Sequence, residues 1–94
     1  MDGHIIRLAA PGLLDWREWD DGCVVFNRAT GETHYLDNFT SYLLRLIEAD
    51  ARTVHALTET VCAGLGRERS AHLEAQIITA LGNFDALALV AGAG

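Results

Sequence analysis

Apolar and polar side chains alternate with a period of two from Leu14 to Leu36, and beyond Leu36 the period lengthens to that of a helix. Leu14, Trp16 and Glu18 alternate with Asp15, Arg17 and Trp19, after which Asp20-Asp21-Gly22 supplies turn chemistry. Cys23-Val24-Val25-Phe26-Asn27 is short, β-branched and aromatic, as strands are. Ala29-Thr30-Gly31-Glu32 closes a second hairpin, and Thr33-His34-Tyr35-Leu36 follows as a third strand. Short turns between consecutive strands predict an antiparallel meander whose last strand is an edge. Residues 1–12 hold Ile5, Ile6 and Leu8 but run into Ala9-Ala10-Pro11-Gly12, which reads as a break ending an N-terminal segment.

After Leu36 the spacing predicts three helices. Asp37 or Asn38 caps the first, with Phe39, Leu43, Leu46 and Ile47 as its stripe and Tyr42 and Leu44 widening it. Thr53 caps the second, which carries Val54, Leu57, Val61 and Leu65 and stops at Gly64 and Gly66. Ser70 caps the third and longest, where Leu73, Ile77, Leu81 and Phe84 form a narrow stripe with Leu87 at its edge. From Val90 the chain is Ala and Gly and is expected to fray. The predicted fold is α+β: a three-stranded antiparallel meander followed by three helices, the parts of a winged helix-turn-helix-like domain over residues 13–90, with 91–94 a flexible tail.

Composition narrows the chemistry. The chain has 94 residues, seven basic against thirteen acidic, for a net charge of −6. Every basic residue is Arg, and none falls between Ser70 and Leu89. A winged-helix DNA-binding regulator needs cations on its recognition helix, so nucleic acid is an unfavoured partner. No apolar run approaches the length of a membrane span, and the start lacks the basic flank of a signal peptide, so a cytoplasmic location is expected. Cys23 and Cys62 stand alone, which suits two small buried thiols better than a disulfide framework or a zinc site. His4, His34, His55 and His72 show no metal-ligand spacing, and no nucleophile turn or phosphate loop accompanies them. These residues predict neither catalysis nor a cofactor. Arg67 and Arg69, the one close basic pair, read as a solvated connection.

The order and spacing of these segments resemble the PqqD family of small peptide-binding proteins. The resemblance runs over roughly residues 13–90 through the three strands, Leu36-Asp37, Phe39 to Ile47, Thr53-Val54-x-x-Leu57-x-x-x-Val61 and Leu81-x-x-Phe84-x-x-Leu87-Ala88-Leu89-Val90. Trp16-Arg17-Glu18-Trp19, Val24-Val25-Phe26 and Thr30-Gly31-Glu32-Thr33-His34-x-Leu36 look more like members associated with an HPr-kinase-related system. The chain departs from the pattern in two places: Glu48-Ala49-Asp50-Ala51 stands where the family often has Asp-Gly, and Ala88 replaces the usual Gly before the closing Leu-Val.

The resemblance implies a non-catalytic chaperone, in cofactor biosynthesis such as that of PQQ or in peptide natural-product biosynthesis. It would bind the leader of a ribosomally made precursor peptide and present it to a modifying enzyme, either a radical iron–sulfur enzyme or a kinase-related protein. It also implies a cleft between strand 33–36 and the third helix. An exposed edge strand accepts a peptide through main-chain hydrogen bonds, with side-chain pockets adding specificity. Thr33 and Tyr35 face one way, His34 and Leu36 the other. The helix candidates are Gln76, Ala80 and Asn83 on one flank and Glu74 and Ile78 on the other, with Ile78 filling a leader pocket and Ala80 permitting close approach. The alternatives are a winged-helix DNA-binding regulator, from a different class, and a structural subunit that uses the same edge to form a homodimer.

Overall fold

A computed structural model describes residues 5–66, 68 and 70–91. The expectations for His4, Arg67, Arg69 and the last three residues of the tail lie outside these. The elements in chain order are β1 (Ile5–Leu8), β2 (Leu14–Trp19), β3 (Gly22–Asn27), β4 (Glu32–Asp37), α1 (Asn38–Ala49), β5 (Arg52–Thr53), α2 (Val54–Leu65), α3 (Ala71–Ala86) and β6 (Val90–Ala91). The fold is α+β, with the expected meander β2-β3-β4 and three helices.

The meander is in a single register, with Trp16 opposite Val25 and Val25 opposite His34 on one face. Val25 and Leu36 are buried from that face, and Leu14 and Trp16 pack against the same core. The other face carries Trp19, Phe26 and Tyr35, all exposed. The two tryptophans, three residues apart on one strand, thus divide between the core and solvent, as a period of two requires.

Each helix starts where a side-chain oxygen replaces a missing backbone acceptor. Asp37 Oδ1 accepts from the Thr40 N–H at 2.8 Å, Thr53 Oγ1 from the Ala56 N–H at 3.0 Å and Ser70 Oγ from the Leu73 N–H at 3.1 Å. Leu43, Leu44, Ile47, Val54, Leu57, Val61, Leu73, Ile77, Leu81 and Phe84 fill the space under the sheet. Leu44 is fully buried rather than flanking, whereas Leu65 is exposed. Helix α2 runs through Gly64 and ends at Gly66, whose φ of 63° is the left-handed cap. Gly64 has a different use: a Cβ there would collide with the Tyr42 hydroxyl, so the missing side chain lets α1 and α2 approach.

Two segments depart from the sequence expectation. Ile5–Leu8 is itself a strand, pairing with Arg52–Thr53 on one side and Val90–Ala91 on the other. Ile6 and Leu8 point into the core while Ile5 and Arg7 stay outside, so four residues suffice for one full alternation. Val90 is buried and paired instead of frayed. Ala88 makes this return with a φ of 60°, a left-handed backbone that sends the chain from the end of α3 back to β1.

Candidate functional site

Strand β4 has β3 on one side and no strand on the other among the described residues. Beside this open edge lies a groove of about 440 Å³. Its walls come from Tyr35, Leu36 and Asp37 at the end of β4, Thr40 in the first turn of α1, and Asn83, Phe84, Ala86 and Leu87 at the end of α3. Leu36 and Phe84 are buried and make an apolar floor, and Leu87 is 37% exposed.

The polar groups sit at the rim. Asp37 Oδ1 accepts both the N–H and the hydroxyl of Thr40, each at 2.8 Å. These bonds hold the Asp37 carboxyl below the usual carboxylate range, the backbone N–H being the larger cause and the hydroxyl the next. Tyr35 turns its ring along the sheet, and its hydroxyl donates to the Asp21 carbonyl at 3.3 Å. Desolvation first, then the Asp21 carboxylate, push the Tyr35 phenol upward.

The structure brings Tyr35, Leu36 and Asn83 together in this groove and distributes the other expected residues elsewhere. Thr33 lines a separate depression on the outer sheet face with Trp19, Val24 and Phe26. His34 is half-buried on the inner face, and its Nε2 is enclosed without a hydrogen-bond partner among the described residues. Ala80 is only 4% exposed and belongs to the core, because its spacing from Ile77 and Phe84 puts it on the buried stripe. Gln76 is exposed and Ile78 is 43% exposed, so Ile78 is neither a core contact nor part of the groove lining. The groove meets α3 at Asn83–Leu87, and residues one and two turns earlier lie outside it.

Asp37, Thr40, Phe84, Ala86 and Leu87 also line the groove, and the sequence pattern does not mark them for it. Asp37 and Phe84 already had structural roles in the pattern, as a cap and a stripe residue. Leu87, off the stripe near the end of a helix, was the available signal.

Among the described residues the groove holds no His, Cys or Arg, and no cluster of three or more metal-ligating side chains occurs. Cys23 and Cys62 are both free thiols, the first buried and the second half-buried. No described helix is long and apolar enough to cross a membrane.

No family model and no curated protein matches the chain by sequence. The fold is similar to that of TbiB1, whose solved structure is a complex with the TbiA(beta) leader peptide. The two superpose with a TM-score of 0.70, over 92% of this chain and 95% of TbiB1, at 20% sequence identity. At that identity, what the two proteins share is the fold.

Proposed function

We propose that this domain is a PqqD-type recognition element that holds the leader of a ribosomally made precursor peptide as a fourth strand on β4. The observation that carries this reading is the open β4 edge beside an apolar groove closed by α3, in a fold shared with a protein whose structure contains a leader peptide. An added strand satisfies the backbone groups of the edge, while alternate side chains drop toward Leu36, Phe84 and Leu87. The domain then acts by binding and presentation, without catalysis of its own. Its partner would be a modifying enzyme of the radical iron–sulfur or kinase-related kind, in cofactor or peptide natural-product biosynthesis.

An amide-resolved NMR titration with a leader peptide encoded beside this protein tests the reading. Shifts are expected at Tyr35–Asp37 and Asn83–Leu87. Shifts confined to other surfaces, or no binding at millimolar peptide, would overturn it. The same open edge also suits pairing with a second copy of the chain; a concentration-dependent sedimentation coefficient that collapses to the monomer value with peptide would show both using one edge.

A further inference from the structure

We infer that the groove selects a leader segment in which a large apolar residue stands directly beside an Arg or Lys, the cation pairing with Asp37. This deepens the leader-binding reading above and rests on it.

The argument starts from what lines the groove. Its floor is apolar, and among the described residues its one ionisable carboxylate is Asp37 at the mouth, with Asn83 contributed by α3 on the other side. Among the described residues no Arg lines the groove and no ion pair to Asp37 occurs. The nearest arginines in sequence are engaged elsewhere. Arg28 Nε lies 3.3 Å from Asp15 Oδ2, and Arg45 binds Glu18 Oε1 at 3.1 Å while stacking on Trp16. Asp85, the other charge between residues 83 and 87, has the same sign as Asp37.

Asp37 stays ionised because Thr40 donates twice to Oδ1. A carboxylate offers about four acceptor sites, so two bonds do not exhaust it. The positive end of α1, equivalent to about half a charge, tempers the field of this full negative charge without reversing it. A cation brought to the mouth therefore meets an anion with no ion-pair partner among the described residues, at the edge of a low-dielectric surface where charge-assisted bonds are stronger than in open water.

Strand geometry then fixes the spacing. Leu36 faces inward and Asp37 is the next residue of β4, so their partners on an added strand are also consecutive. The residue opposite Leu36 enters the apolar groove, and its neighbour lies at Asp37. Which of the two comes first depends on the direction of the added strand, and adjacency does not.

Random decapeptides displayed and selected against the intact domain, and in parallel against Asp37→Asn, test this. Asn keeps the cap of α1, so the variant is expected to retain the fold, which circular dichroism checks. The wild type should enrich a motif pairing a large apolar residue with adjacent Arg or Lys. Asp37→Asn should keep the apolar position and lose the cation preference. In a selected peptide, replacing that Arg or Lys by Gln should weaken wild-type binding about fivefold, with little change for Asp37→Asn. A wild-type motif with the apolar residue and no adjacent cation, or a cation preference that persists in Asp37→Asn, would overturn this inference and leave the leader-binding reading standing. No enriched motif at all would overturn both. The peptide substitution needs no protein variant, so the test survives misfolding of Asp37→Asn.

Discussion

Leu89 donates its backbone N–H to the Phe84 carbonyl at 2.8 Å, and both side chains are buried. With the Ala88 N–H on the Asp85 carbonyl at 3.0 Å, this is a Schellman ending to α3. The motif requires a left-handed residue, and Ala88 occupies that place at a φ of 60°. A Cβ there presses on the following carbonyl, at a cost of roughly 1–2 kcal/mol. Ala88→Gly should therefore raise stability by about 1 kcal/mol after the added freedom of the unfolded chain is deducted. Urea unfolding at fixed m-value checks it; an unchanged or lower midpoint would show that the turn is relaxed.

A comparable argument with opposite sign applies at Gly22. A Cβ added there would overlap the Leu36 carbonyl and lie 2.9 Å from the Tyr35 hydroxyl oxygen. The obstruction includes backbone, which cannot turn aside. Gly22→Ala should destabilise by about 1–3 kcal/mol and release the Tyr35 hydroxyl from Asp21. A thermal melt measures the first effect and spectrophotometric titration of the phenol the second.

The cap of α1 links stability to pH. The folded-state pKa of Asp37 lies below its ordinary value of 3.8, so the unfolded chain binds this proton more readily. The stabilisation is present above the ordinary carboxylate range and is lost as pH falls through the lower folded value. Asp37→Ala should cost about 1 kcal/mol near pH 7, and the gap from wild type should narrow on acidification below pH 3.8. Melts between neutral and strongly acidic pH check the sign. A gap that widens in acid would contradict the cap assignment.

Leu87 separates binding from folding. It lines the groove yet is more than a third exposed, outside the buried stripe. Leu87→Glu should leave the melting temperature within a few degrees of wild type, since exposed positions tolerate substitution to within about 0.5 kcal/mol. Leader affinity should fall by more than about tenfold, because a charge would be desolvated against an apolar floor. Isothermal titration with the leader peptide reads the binding; equal affinity would place the peptide elsewhere.

The meander, the three caps and most of the buried stripe were legible because each is local: a period of two or 3.6, a turn, or a Ser, Thr or Asp before an apolar run. What escaped is non-local. Ile5–Leu8 resembles a broken terminal segment until Thr53 and Val90 lie on either side of it, and no local signal announces pairing so distant. The groove is lined by Tyr35, Leu36 and Asn83 of the expected residues, and it meets α3 later along the helix than Gln76, Ile78 and Ala80. Periodicity gives the azimuth of Ile78 and Gln76 around α3. It does not give the level at which the helix comes opposite β4, which packing of the whole molecule determines.

Strand β1 binds distant parts of the chain into one time order. Leu8 is synthesised 82 residues before its partner Val90. At about 5–20 residues per second, Ile6 and Leu8 must wait several seconds for the segment that completes their sheet. The meander, built from neighbours, can form earlier. On a ribosome the edge of β4 is thus synthesised before the end of α3 that walls its groove, so if β4 holds the leader as proposed, selectivity for it arises only once α3 is in place.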